Sequence, residues 1–246
     1  STQGYSSAAS DVYKRQILAA SWLRYVRGLN VLVVDCDFPQ NSIVELRERE
    51  KKAVMKNDAY KLMLQRQFER LQKKAYPVIR STPENAENDV QVFLASESEP
   101  YDVVLYDLPG TMGTKGVIYT ISLLNYLFIP MRADRLVMQS TLNFAQTVYD
   151  KFVENPATNI QEVFLFWNME DRRERTNIYT LYERILATLD MKVYISRIQM
   201  RSKFSRELAD ADGTVYRSTL FRSDGTFLRE SGMAALMDEI CTTIGI

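Results

Sequence analysis

One run restricts this chain more than any other. Val31-Leu32-Val33-Val34 is followed at once by Asp35, and Asp37 lies one residue beyond Cys36. An unbroken series of β-branched and leucine side chains, with no polar alternation, predicts a parallel strand buried on both faces. Parallel strands receive ligands at their carboxyl ends. Asp35 and Asp37 therefore stand where a phosphate and its cation would be met, because a hard cation takes oxygen ligands. Val103-Val104-Leu105-Tyr106-Asp107 repeats the pattern and leads into Leu108-Pro109-Gly110-Thr111. Two strands ending in aspartate predict one shared phosphate and Mg²⁺ site.

The absence of histidine among 246 residues excludes histidine acid-base catalysis, histidine triads and histidine-ligated zinc. Asp, Lys, Arg and backbone amides remain for any chemistry. Lys and Arg number 31, as do Asp and Glu, so no global charge draws the chain to nucleic acid or membrane, although a local basic patch stays open. With 46% hydrophobic residues the chain suits one α/β domain with a full core. Cys36 and Cys241 form no metal-spaced cluster and read as buried thiols of a reduced, cytoplasmic protein. No apolar stretch approaches the ~20 residues of a membrane span, and no secretory signal is recognised.

Strands alternate with helices along the chain, which predicts right-handed crossovers and a single doubly wound, mostly parallel sheet with helices on both faces. An amphipathic helix is expected over Ile17 to Arg27, with Gly28 beyond its end. Asn41 or Ser42 would cap one long charged helix from Ile43 to Lys74, whose alternating charges read as a solvated face. Further strands are expected at Tyr76 to Ile79, Tyr126 to Pro130, Val163 to Asn168 and Lys192 to Ile195. Helices are expected at Pro83 to Ala95, Val117 to Leu124, Arg135 to Val153 and Ile178 to Leu189. Residues 1–16 show neither period, and Ser6 to Gln16 back-translate codon for codon into a transposase-type sequencing adapter. They are set apart as adapter translation, with native protein at 17–246.

A phosphate-binding fold of this order opens with a strand, a Gly-rich loop ending in Lys-Ser/Thr, and a helix. No Gly-x-x-x-x-Gly-Lys-Ser/Thr occurs in these 246 residues. Lys14-Arg15 does not replace it, since glycines let backbone amides converge on phosphates. The expectation is a chain lacking its first strand and P-loop.

The segment Val31 to Asn41 resembles the second-strand signature of ParA-type partition ATPases, of the ParA/MinD (deviant Walker A) class. Tyr101 to Pro109 resembles their Walker B strand, and Tyr126-Leu-Phe-Ile-Pro130 the strand that follows. The long charged helix and Trp167-Asn168-Met-Glu-Asp171 are most similar to the ParA relatives of conjugative elements called TraA. Phe38, between Asp37 and Pro39, and Gly110 depart from the pattern.

That resemblance implies a P-loop NTPase fold of the SIMIBI type that binds ATP and Mg²⁺. Asp37 would orient the attacking water, with Asp35 beside it, and Asp35 and Asp107 would position Mg²⁺ directly or through its waters. Alternatively, strand-terminal aspartates simply cap the loops that follow. Asn168 would contact the base, and Gly110 and Thr111 would respond to the terminal phosphate. Arg197, Arg201, Lys203, Arg206, Arg217 and Arg222 would hold nonspecific DNA through phosphate neutralisation. A nucleotide-dependent homodimer, a ParB-like activating partner and a cytoplasmic, nucleoid-associated location follow from the same likeness. As written, the chain would bind ATP poorly. Two other classes stay open: a non-catalytic DNA-binding or scaffold protein, and an ATP-dependent biosynthetic enzyme of the same fold.

Overall fold

The computed structural model describes residues 3–109, 114–171, 177–208 and 214–246, with side chains from Lys14 onward except that of Leu136. The chain divides into two compact units, Ser1–Ile118 with Ser202–Phe227, and Tyr119–Arg201 with Leu228–Ile246. No described helix is long and apolar enough to cross a membrane.

In the first unit the order is α1 (Gln3–Tyr25), β1 (Val31–Asp35), α2 (Ser42–Lys56), α3 (Asp58–Leu71), β2 (Val78–Arg80), α4 (Ala86–Ser96) and β3 (Val103–Asp107). The sheet is parallel, ordered β2-β1-β3, and its register sets Asp35 beside Asp107. β1 is buried throughout, as its apolar run requires. Leu32, Val34 and Cys36 pack with Ala86 and Val90 of α4. Asp35, on the alternate face, meets α2, so helices cover both sides of the strand.

Helix α1 begins at Gln3 rather than Ile17, which corrects the expected start. Residues 3–16 hold no proline, and their Ala, Lys, Arg and Gln favour continuation of the helix. After it, Gly28 adopts φ +75°, a left-handed turn that suits glycine, and Leu29 N–H donates to Leu23 C=O at 3.0 Å. The long charged helix is two helices. Asn57 is extended, and its side-chain oxygen accepts from Ala59 and Tyr60 N–H, so a local cap at Asn57 outcompetes continuation.

The charged face is also less solvated than its alternation predicts. Glu45, Glu48, Arg49, Lys51 and Lys52 are exposed, but Arg47 and Glu50 are buried. Arg47 donates to the side chain and carbonyl of Thr219 at 2.7 and 3.0 Å, while the Glu50 carboxylate accepts from Thr219 N–H at 2.8 Å. Tyr25 and Gln67 donate to the carbonyls of Thr219 and Leu220. An irregular segment can lie inside a protein only when its backbone groups find partners. Here side chains of α1, α2 and α3 supply them.

The second unit holds β4 (Tyr126–Met131), α6 (Arg135–Val148), β5 (Glu162–Trp167), α7 (Ile178–Thr188), β6 (Lys192–Val193) and α9 (Met233–Ile244), with α5 (Lys115–Leu123) and α8 (Gly225–Glu230) running from one unit into the other. Its sheet is parallel, ordered β4-β5-β6. Val163 to Trp167 are all buried. Phe128, Phe164 and Tyr194 stack across the three strands, the closest ring centroids 4.9 Å apart. The parallel α/β class predicted from the sequence is present. Its strands are hydrogen-bonded as two three-stranded sheets rather than one, since among the described residues β3 pairs with β1 and β4 with β5. Cys36 and Cys241 are buried, as predicted.

Candidate metal centre at the carboxyl ends of β1 and β3

Parallel pairing of β1 with β3 places Asp35 and Asp107 side by side where both strands end. Asp35 is 0% exposed and Asp107 4%. Asp35 Oδ2 accepts from the backbone N–H of Ile43 and of Val44, both at 2.9 Å, at the start of α2. Its Oδ1 has no hydrogen-bond partner, and neither has Asp107 Oδ2. The Gln16 side chain donates to the Tyr106 carbonyl at 3.2 Å and also bonds Asp107. Asp37 is half-buried just beyond.

Such crowding disfavours charge. Burial lifts the Asp107 carboxyl well above its ordinary value, and the charges of Asp35 and Asp37 add to this. Burial also raises Asp35, against the opposing pull of the Val44, Ile43 and Asp37 N–H groups. Asp37 is raised by burial first and by Asp35 second. The Cys36 thiol between them is pushed up to about 12, chiefly by burial, and is therefore no nucleophile.

Buried acceptors without donors call for a cation or its waters. Asp35 Oδ1 and Asp107 Oδ2 fit Mg²⁺, which binds through one or two carboxylates and keeps several waters. Among the described residues no group of three or more His, Cys, Asp or Glu is arranged to hold a metal unaided. ATP fits less well. The sequence holds no Gly-x-x-x-x-Gly-Lys-Ser/Thr motif to receive its phosphates, so no step through ATP follows from these residues. Gly110 and Thr111 lie outside the described residues.

Asn168 belongs to the second unit and ends β5. It is 3% exposed, and its backbone N–H donates to the Met131 carbonyl at 2.8 Å. Met169, next in sequence, has φ +60°. Glu170 then accepts from Arg197 at 2.6 Å and from the Gln199 amide. The other arm of Arg197 reaches Glu183 at 2.6 Å, and Glu183 also accepts from Trp167 Nε1 at 3.2 Å.

The six basic residues expected to meet DNA divide accordingly. Arg197 is committed to Glu170 and Glu183. Arg217 is 2% exposed and pairs with Glu207 at 3.2 Å, so it is turned away from solvent, which corrects its place in the set. Arg201, Lys203, Arg206 and Arg222 are exposed. In the first unit, Lys203 and Arg206 lie over the Tyr216 ring at 4.9 and 5.7 Å.

Comparison with known proteins adds a fold and no more. MinD cell division protein of Aquifex aeolicus aligns with TM-score 0.54 over 95% of this chain and 91% of that one, at 13% identity. A plasmid partition protein from Borrelia burgdorferi aligns with TM-score 0.50 over 92% of each chain, at 14% identity. The fold is of the ParA/MinD type. No family model and no curated protein sequence matches the chain.

Sequence reasoning missed the clasp of Glu170 on Arg197, the reach of Gln16 to Asp107, and the role of Asp35 as the cap of α2. Only the last had a signal, an acidic strand end shortly before a helix start. The other two depend on contacts between residues distant in sequence.

Proposed function

We propose that the chain is part of a ParA-like ATPase that serves partition or maintenance of a plasmid or conjugative element, nearest in kind to the TraA proteins. In this reading the intact protein binds ATP and Mg²⁺ and dimerises on the nucleotide. It holds DNA nonspecifically through Arg201, Lys203, Arg206 and Arg222, and releases it after hydrolysis stimulated by a ParB-like partner. The location is cytoplasmic, at the nucleoid. Asp37 aligns the attacking water, Asp35 and Asp107 stand on the Mg²⁺ side, and Asn168, Gly110 and Thr111 complete the nucleotide site.

The observation that carries this reading is the pair of buried, unpartnered carboxylate oxygens on Asp35 and Asp107, at the carboxyl ends of adjacent parallel strands in a fold of this type. The test is a chain in which a strand and P-loop of the ParA/MinD pattern replace residues 1–16. It should bind ATP, and Asp37→Ala should keep that binding while hydrolysis falls by about 100-fold or more. Loss of ATP binding in an intact Asp37→Ala fold would remove the water-aligning role. DNA retention by that chain should depend on ATP and fall steeply with salt. Retention that ignores ATP would favour the non-catalytic DNA-binding reading, which the lack of a Walker A motif in these residues supports.

A further inference from the structure

Helix α2 begins at Ser42, which makes Asn41 its N-cap residue. An N-cap asparagine ordinarily sits in extended backbone and accepts a hydrogen bond from the second or third helical N–H. Asn41 does neither. Its backbone is left-handed, at φ 43° and ψ 49°, and its side chain makes no capping bond. It is 0% exposed, yet both its amide nitrogen and its amide oxygen lack hydrogen-bond partners. The second and third N–H groups, on Ile43 and Val44, are taken instead by Asp35 Oδ2.

Two side chains thus have a claim on the same two donors, and one of them is idle. A buried amide left unpaired in a left-handed backbone is costly. The engaged claimant also keeps one oxygen without a partner, as does Asp107, its register neighbour on β3. We propose that α2 has two alternative caps, and that a divalent cation held by Asp35 and Asp107 exchanges one for the other. Without the cation, Asp35 caps α2 and Asn41 is idle. With it, Asp35 gives up the N–H groups of Ile43 and Val44, and Asn41 returns to extended backbone and accepts them. The inference rests on the reading of Asp35 and Asp107 as the Mg²⁺-side pair and adds a bistable element beside it.

The test uses the full chain, with Mg²⁺ as the probe, and follows amide hydrogen exchange at Ile43 and Val44 by NMR. Without Mg²⁺, Asn41→Ala should leave their protection unchanged within about twofold, since the Asn41 amide is unused. In saturating Mg²⁺ the wild type should keep its protection, and Asn41→Ala should lose about fivefold, the scale of a missing cap. Asn41→Gly removes the same amide while suiting the left-handed backbone, and should show the same Mg²⁺-dependent loss if alanine disturbs folding. Carboxyl-carbon shifts of Asp35 and Asp107 are read in the same samples. Mg²⁺-dependent shifts there, with exchange at Ile43 and Val44 indifferent to Asn41, would overturn the cap exchange alone. An absence of any Mg²⁺ response at the two carboxylates would overturn the exchange and the metal reading together.

Discussion

The ends of β1 and β5 are built from similar materials and finished differently. Each strand is a buried apolar run closed by polar residues, and each is followed by an acid. At β5 that acid, Glu170, is matched by Arg197 and Gln199, and Arg197 is matched again by Glu183. At β1 two buried aspartates face each other, and each keeps an oxygen without a donor. A saturated network of this kind fixes a structure, while an unsaturated one waits for a partner. The difference is one of counter-charge at the strand end: Glu170 is bonded to an arginine, and Asp35 and Asp107 each keep an oxygen without a partner.

That contrast breaks most severely at Gly232. Its φ is +79°, and an added Cβ would collide with the backbone carbonyl of Arg197. Gly232→Ala should cost about 3 kcal/mol in urea denaturation, by strain and by displacing the arginine that closes the β5 network. Glu170→Ala should cost about 2 kcal/mol, because it removes a charged acceptor from Arg197 and from the buried Gln199. Asp107→Asn should have the opposite sign, stabilising the Mg²⁺-free chain by about 1 kcal/mol at neutral pH, since it removes a buried charge that Asp35 and Asp37 repel. If it destabilised as Glu170→Ala does, the two strand ends would be alike.

The pH dependence follows the same division. Asp35, Asp37 and Asp107 have folded values raised above the ordinary 3.8. Between 3.8 and the raised values the folded state holds more protons than the unfolded one. Stability from these groups is therefore full below 3.8 and is lost as pH rises through their raised midpoints. Denaturation midpoints measured across that window should fall with pH in the wild type and fall less in Asp107→Asn. The smallest effect belongs to the exposed pair of Lys51 with Glu48, at 2.8 Å. Lys51→Met should leave the denaturation midpoint unmoved within error, which sets the scale against which the buried acids are judged.

The sequence disclosed what depends on local pattern. The unbroken apolar runs of β1, β3 and β5 announced buried parallel strands, and their terminal residues announced where polar chemistry would gather. The break at Asn57 was less legible, because charge alternation continues across it and only the side chain's bonds to Ala59 and Tyr60 reveal the stop. The burial of Arg47 and Glu50 was hidden for another reason. Their partner Thr219 lies about 170 residues away, and no helical period reports on a distant irregular segment. Arg197 and Arg217 read as free cations in one dimension, while the fold turns them to Glu170, Glu183 and Glu207. The idle amide of Asn41 could not be foreseen at all, since an asparagine before a helix reads as its cap.

The most direct test is the carboxyl-carbon titration of Asp107, recorded by NMR with and without Mg²⁺. A buried, cation-receiving acid with one oxygen unpaired predicts a midpoint above 3.8 in the metal-free chain and a fall of that midpoint when Mg²⁺ is added. A metal-free midpoint at the ordinary value, or one that Mg²⁺ leaves unmoved, would contradict the account.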